Sequence, residues 1–254
     1  MRKVYAIAIN TFREAVRDRI LYLLLIFAIL IMSTARVVSL LTIGSEEKIV
    51  KDVGLAAINI FSVLIGIFVG VGLVFKEIEK KTIYTIVTKP IERYQFIVGK
   101  YFGLTMTVFI NLVIMAVIFY MVLAIQSYFD PDLGKAILLT FVEILVVTAI
   151  AILFSSFSTP ILSSVFTISL YVIGHLSWSF LLLKNYVDVA WGKRLCDFFY
   201  YVVPNLEYFN IRSEVVHGIP LNGWYILSAS AYGVGWSLLL ITLASIIFQR
   251  RNFN

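Results

Sequence analysis

Residues 55–90, LAAINIFSVLIGIFVGVGLVFKEIEKKTIYTIVTKP, decide the fold class of this chain. The first 21 residues carry no charged side chain, whereas five of the next six do. A helix needs about 20 such apolar residues to cross a hydrocarbon core about 30 Å thick. Inside that core, each backbone amide and carbonyl has to be satisfied within the segment. The stretch therefore predicts a membrane-spanning helix that ends in a charged loop.

The rest of the chain repeats this apolar pattern. Hydrophobic residues make up 61% of the sequence and charged residues 14%, against about 45–50% and 25% in soluble domains. We therefore predict an all-α polytopic membrane protein. Its six predicted transmembrane helices are Ile20–Val38, Leu55–Phe75, Ile97–Ile125, Ile137–Phe154, Ile161–Leu183 and Ile226–Phe248.

The distribution of lysine and arginine predicts the orientation. Thirteen of these residues lie in the N-terminal segment, the loop after the second span and the C-terminal tail, and eight lie on the other side. Cytoplasmic loops carry an excess of Lys and Arg. We therefore expect a multi-pass protein of the cell (inner, cytoplasmic) membrane with both termini in the cytoplasm. The single cysteine, Cys196, excludes an intramolecular disulfide.

Two segments outside the spans are predicted to lie along the membrane surface. Residues 1–19 place apolar side chains on one helical face, which favours an interfacial helix; a simple cytoplasmic extension of the first span is the alternative. Residues 184–223 include a mostly apolar stretch, Leu195 and Phe198–Val203, which is too short to cross a bilayer. That stretch predicts an external interfacial or re-entrant element before the last span.

The sequence offers no catalytic constellation. A phosphate-binding loop needs a glycine-rich turn ending in Gly-Lys-Ser/Thr, and the one Gly-Lys pair, Gly99-Lys100, is followed by Tyr101. The histidines, His175 and His217, lie far apart in the sequence, which argues against a metal cluster. We expect no catalytic residue, no metal and no cofactor. No basic stripe interleaved with aromatics indicates nucleic acid.

Two ionisable residues, Glu143 and His175, fall inside predicted spans. An ionisable side chain in a membrane is costly, so a functional role is the default hypothesis. The alternative is that each faces the bundle interior or the headgroups and is satisfied by a hydrogen-bonding neighbour. For Glu143 the two interpretations stay open, because its span could begin late and leave the carboxylate near the headgroups.

The charged loop resembles the cytoplasmic segment of the permease subunits of ABC-2-type transporters. That segment has an acidic–basic pair, Gly-Thr, an apolar run, proline, arginine and then Gly-Lys. The matching residues here are Glu79-Lys80-Lys81-Thr82, Ile83–Val87, Lys89-Pro90-Ile91-Glu92-Arg93 and Val98–Gly103. Lys81 stands where the family usually has glycine. The likeness extends over the whole chain and is greatest to the small six-span permeases.

The resemblance implies one ABC-2 transmembrane domain over residues 1–254. Its parts are the interfacial helix (1–19), spans one and two (20–75), a cytoplasmic coupling loop (76–96), spans three to five (97–183), the external region (184–223), and span six with a basic tail (224–254). The coupling loop would contain a helix that docks on the ATPase. Residues implied in ATPase coupling are Glu77, Glu79, Lys80, Lys81, Thr82, Lys89, Pro90, Arg93 and Lys100.

The resemblance also implies partners and a mechanism. Two cytoplasmic ABC ATPase subunits would drive export, and a second permease copy, identical or paralogous, would complete the substrate path within the lipid bilayer. ATP hydrolysis would belong to the partner subunit. Two alternatives remain from the residues alone: a membrane scaffold or assembly factor without transport, and a channel or secondary transporter.

Overall fold

The chain is described by a computed structural model that covers residues 2–39, 45–79, 92–184, 186 and 189–250. Within these residues the fold is helical, with no strand. The helices are α1 (Arg2–Val16), α2 (Arg19–Ser39), α3 (Glu46–Glu79), α4 (Arg93–Ile125), α5 (Leu133–Ser155), α6 (Pro160–His175), α7 (Ser177–Lys184), α8 (Ala190–Val202), α9 (Arg212–Val216) and α10 (Gly223–Arg250); a short 3-10 helix, Leu206–Phe209, precedes α9.

Local sequence signals account for several helix boundaries. Asp18 separates α1 from α2, and its carboxylate accepts a hydrogen bond from the amide of Ile20 at 3.0 Å, as an N-terminal cap does. Pro160 opens α6, where its missing N–H has no helical partner to lose. Ser127 lies in the connection between α4 and α5 and has a positive φ of 59°.

Four helices in the described residues are long and apolar enough to cross a membrane, namely α4, α5, α10 and the Glu46–Gly72 part of α3. A fifth is counted if α6 and α7, which are bent by 64° relative to each other, form one broken span. The apolar stretch of α2 covers Arg19–Ala35 and is shorter. The structure therefore supports a polytopic helical membrane protein with four or five spans in this part of the chain, and the predicted six are not confirmed.

Helix α5 lies at the centre of the bundle. It is buried along most of its length and packs against α3, α4, α6 and α10. In contrast, α4 and α10 each turn an apolar face outwards, exposed at positions such as Phe102, Met106, Leu238 and Leu243. An apolar exterior is stable when hydrocarbon rather than water surrounds it, so these faces are suited to lipid.

The region between α7 and α10 is folded against the bundle. Helix α8 returns along α7, where Phe180 stacks on Phe199 at 5.6 Å and the Lys184 ammonium lies 2.7 Å from the Asp197 carboxylate. The 3-10 helix and α9 then pack against α3, α5 and α6. Residues 190–202 and 212–216 are thus α-helical; an external location and a re-entrant depth stay predictions.

Candidate functional site

Two features of the fold concern function: the beginning of α4, which follows the charged loop, and a polar cluster inside the bundle. At the first, α1 lies directly on α4. A side-chain carbon on Gly99 would lie 2.7 Å from Cβ of Ile7, and one on Gly103 would lie 2.5 Å from the carbonyl oxygen of Ala8. Small residues four apart allow two helix backbones to approach closely. The Gly99 of the Gly-Lys pair is therefore a packing residue.

Lys100 is enclosed by this contact. Its side chain is fully buried, with the ammonium 3.8 Å from a carboxylate oxygen of Glu14 in α1 and 5.8 Å from the centre of the Phe96 ring. A buried ammonium is stabilised by a carboxylate and by the face of an aromatic ring. Lys100 thus contributes to the junction between α1 and α4.

Arg93, the first residue of α4, reaches the end of the last helix. Its guanidinium donates to the carbonyl oxygens of Gln249 at 3.0 Å and Phe248 at 3.4 Å. The terminal carbonyls of a helix have no partner within the helix. A guanidinium at this place satisfies them and complements the negative end of the helix dipole. Phe96 stacks on Phe248 at 5.6 Å beside it.

The structure places the predicted coupling residues as follows. Glu77 and Glu79 belong to the last turn of α3, whereas Arg93 and Lys100 belong to the first two turns of α4. The loop between these helices is not among the described residues, and the predictions for its members fall there: Lys80, Lys81, Thr82, Lys89 and Pro90. Their role in ATPase coupling stays a prediction.

The two predicted intramembrane residues are in direct contact. Glu143 lies mid-way along α5 with 1% of its side chain exposed, and its Oε1 is 2.8 Å from Nε2 of His175, the last residue of α6. The helix begins at Leu133, before the predicted start, and Glu143 faces the interior of the bundle. Its second oxygen accepts a hydrogen bond from the Asn59 amide at 2.6 Å.

The cluster continues on both sides of this pair. The Tyr171 hydroxyl donates to the Asn59 carbonyl at 3.1 Å. On the other side of the imidazole, Nδ1 of His175 lies 3.1 Å from a carboxylate oxygen of Glu207 in the 3-10 helix. The other oxygen of Glu207 accepts from the Asn210 amide at 3.0 Å. Three helices and the segment after α8 are thus joined by one hydrogen-bonded network.

A cavity of about 230 Å³ opens beside this network. Its polar lining residues are Asn59, Thr140, Tyr171, His175, Asn210 and Arg212. Arg212 is itself paired with Asp52 of α3 at 2.9 Å. The volume is room for several water molecules, given a share of about 30 Å³ each in the liquid. The cavity lies beside the half-buried imidazole and is lined on one side by the exposed Asn210.

Four members of this network were not predicted from the sequence, namely Asn59, Tyr171, Glu207 and Asn210. Asn59 is a polar residue within an apolar span, which is a signal in its own right. Glu207 follows Pro204-Asn205, a turn signal, and its amide donates to the Asn205 side chain at 3.1 Å. Nothing in the local pattern associates Glu207 with a histidine 32 residues away.

The four or five membrane-capable helices of the described residues place the chain in the class of polytopic helical membrane proteins. A family model described as ABC-2 family transporter protein matches residues 5–253, and the chain belongs to this family. It is therefore a permease of the ABC-2 type. Such permeases are normally non-catalytic and associate with the bilayer and with an ABC ATPase on a separate subunit. No curated protein matches the chain.

Proposed function

We propose that this permease is the transmembrane part of an ATP-driven exporter, and that residues 76–93 dock on a separate cytoplasmic ATPase. The observation that carries this proposal is the continuity of α3. It runs from Glu46 to Glu79 without a break, 34 residues that extend about 50 Å at 1.5 Å per residue. A bilayer core takes about 30 Å, so the helix extends beyond it.

Both ends of α3 are connected to other parts of the chain. Near its start, Lys51 lies 2.9 Å from Asp130, and Asp52 pairs with Arg212. At its other end, Glu77 and Glu79 lead into the charged loop. A rigid helix transmits displacement along its length with little loss, since its backbone hydrogen bonds hold the rise per residue constant. Movement of a docked ATPase would thus reach the far side of the bundle.

The helix that follows the loop, α4, is also held in place by its neighbours. Arg93 is joined to the end of α10, and the first turns of α4 are packed against α1. A push on the loop would consequently move α3 relative to the unit formed by α1, α4 and α10. Two permease copies bound to two ATPases would convert that motion into alternating access, with the substrate path between the copies. The permease would lie in the inner membrane of the cell, with both termini in the cytoplasm.

Charge reversal tests the docking role. Glu77→Lys and Glu79→Lys should each lower the recovery of the ATPase with the detergent-solubilised permease several-fold, because the proposed contact pairs these carboxylates with cationic groups of the ATPase. The measurement is an affinity pulldown with quantification of the ATPase and of vanadate-sensitive hydrolysis. Glu46→Lys, an exposed carboxylate at the opposite end of the same helix, is the matched control and should leave recovery unchanged.

Arg93→Glu has to be interpreted with its structural contact in mind, because the guanidinium also binds the carbonyls of α10. A loss of ATPase binding in this variant supports docking only if α10 stays folded to its end. If all three reversals retain full ATPase assembly and substrate-stimulated hydrolysis, the loop is not the docking element. A permease that recovers no ATPase under any condition would favour a scaffold without transport.

A further inference from the structure

The imidazole of His175 lies between two carboxylates that belong to different parts of the fold. Nε2 faces Glu143 of α5 at 2.8 Å, and Nδ1 faces Glu207 of the 3-10 helix at 3.1 Å. The two carboxylates differ in environment, with 1% of the Glu143 side chain exposed and 45% of the Glu207 side chain. One ring thus joins a buried acid to an exposed one.

The hydrogen bonds of the network limit which protonation states of the ring are satisfied. A neutral imidazole has one N–H donor and one lone pair, so it can donate to only one carboxylate. Each carboxylate already accepts from an asparagine amide on its other oxygen, at 2.6 Å for Asn59 and 3.0 Å for Asn210. When both carboxylates are ionised, all of these contacts are satisfied only if both ring nitrogens donate, which makes the ring an imidazolium.

The other charged and titratable groups near the ring complete the electrostatic setting. Tyr171, one turn earlier in α6, contacts the imidazole edge-on at 4.7 Å and donates its hydroxyl to Asn59. Arg212 of α9 lines the same cavity but is paired with Asp52. The ring therefore has two acids and one paired guanidinium as its charged neighbours.

We propose that Glu143, His175 and Glu207 form a proton-binding site that clasps the segment of residues 204–212 to the helix bundle, and that loss of the proton releases this segment. The proton is the ligand, and the cavity beside His175 is its route to solvent. This function is separate from ATPase docking, since it depends on no residue of the charged loop.

Release follows from the chemistry of the deprotonated ring. The N–H bond at Nδ1 breaks, its electron pair stays on nitrogen, and the proton passes to solvent in the cavity. Nδ1 and the Glu207 carboxylate then face each other with lone pairs only and repel. Glu207 is the group that moves away, because its exposed side can be solvated, whereas Glu143 keeps the Nε2–H bond in the interior.

The clasped segment packs where α6 ends and α7 begins. Leu206 packs on Gly174 so closely that a Cβ there would be 2.8 Å from the leucine Cγ. On the other side of the segment, the amide of Asn205 donates to the Tyr232 hydroxyl of α10 at 2.8 Å. Loss of the His175–Glu207 contact would therefore loosen the segment from α6 while α10 still holds it, at the 64° bend between α6 and α7.

Nitrogen NMR tests the proton directly, because the chain contains two histidines. His217→Gln removes the other one, which is exposed and bonded to the Ser213 carbonyl, and leaves His175 as the sole signal in ¹⁵N-histidine-labelled permease in lipid nanodiscs. We expect both ring nitrogens of His175 to be protonated at pH 7. A neutral ring in one tautomer at pH 7 would overturn the proposal.

Hydrogen exchange tests the clasp. After correction for the intrinsic exchange rate, protection of the amides in residues 205–211 should fall about tenfold as His175 loses its proton, the factor expected for one charge-assisted hydrogen bond. The step should vanish in His175→Gln and persist in Asp132→Asn, a control with an exposed carboxylate. Protection that is independent of pH in the wild-type sequence, or a step that survives His175→Gln, would show that the site does not clasp this segment.

Discussion

Gly103 of α4 lies against the carbonyl oxygen of Ala8 in α1 with no space for a side chain between them. A Cβ on Gly103 would lie 2.5 Å from that oxygen and 2.6 Å from Cβ of Thr11. Neither atom can move away by a side-chain rotation, because one is a backbone oxygen and the other is a Cβ, which is bonded directly to the backbone. The position of α1 on the bundle thus depends on the absence of a single methyl group.

We predict that Gly103→Ala displaces α1 and lowers the free energy of unfolding by about 1–3 kcal/mol, the range for overpacking a close contact. Thermal unfolding in detergent is the measurement. Gly235→Ala is the matched control, since Gly235 of α10 has no atom within 4 Å of the new methyl group. Alanine in a helix interior is favoured over glycine by about 0.5–1 kcal/mol, so the control should be neutral or stabilised. Equal changes in both variants would contradict the packing argument.

The sequence predicts the helices better than their contacts. Apolar runs locate the membrane-spanning helices, because length and charge in one dimension determine whether a segment can cross a bilayer. Whether α6 and α7 form one straight span is not determined this way, since the bend of 64° follows the break at Leu176 within an apolar run. The described residues therefore contain four or five membrane-capable spans, and the predicted number of six is not confirmed.

The members of the polar cluster could likewise be predicted from the sequence only in part. Glu143 and His175 could be singled out because ionisable groups are rare in apolar segments. Their pairing with each other, and with Asn59 and Glu207, depends on which helices become neighbours. Each contact joins residues at least 32 positions apart, and one sequence carries no local signal for such a distance.

Arg93 provides a second prediction. Arg93→Ala removes the donors to the carbonyls of Phe248 and Gln249 and should destabilise the end of α10 by about 0.5–1 kcal/mol, as expected for a cation at a helix C-terminus. Hydrogen exchange of residues 244–250 would reveal the fraying. Arg194→Ala, on α8, lies outside this contact and should leave that exchange unchanged. Unaltered protection in Arg93→Ala would indicate that α10 ends without this support.

A third prediction concerns Asp130 in the turn between α4 and α5. Burial raises the pKa of its carboxyl, but the hydrogen bond and charge of Lys51 and the amide of Asp132 outweigh burial and hold the pKa below its ordinary value. A lowered pKa in the folded state adds stability above the ordinary aspartate pKa of about 3.9, and this contribution disappears as the pH falls through the lowered pKa. Lys51 also binds Glu47 at 2.6 Å, so it keeps one partner.

Asp130→Asn should therefore destabilise the folded state at neutral pH by about 1 kcal/mol or less, since the carboxylate is partly exposed and solvent screens the pair. The difference from the wild-type sequence should shrink in acid, where wild-type Asp130 is protonated. Melting temperatures from pH 7 down into the acid range provide the comparison. Asp132→Asn, whose pair with Lys135 is largely exposed, should show a smaller effect. A difference in melting temperature that grows in acid would contradict this prediction.

The last prediction concerns orientation, which decides whether the Glu143–His175–Glu207 site faces the outside of the cell. In a Cys196→Ser background, a new cysteine at Tyr186, where 83% of the side chain is exposed, should react with a membrane-impermeant maleimide in intact cells. A cysteine at Glu92, also exposed, should react only after the membrane is permeabilised. His217→Cys and Arg13→Cys, both at exposed positions, repeat the comparison on each side. The charge bias predicts this pattern because cytoplasmic segments carry the larger number of Lys and Arg. The reverse pattern would place the charged loop outside, where no ATPase could reach it, and would open the cavity beside His175 to the cytoplasm instead.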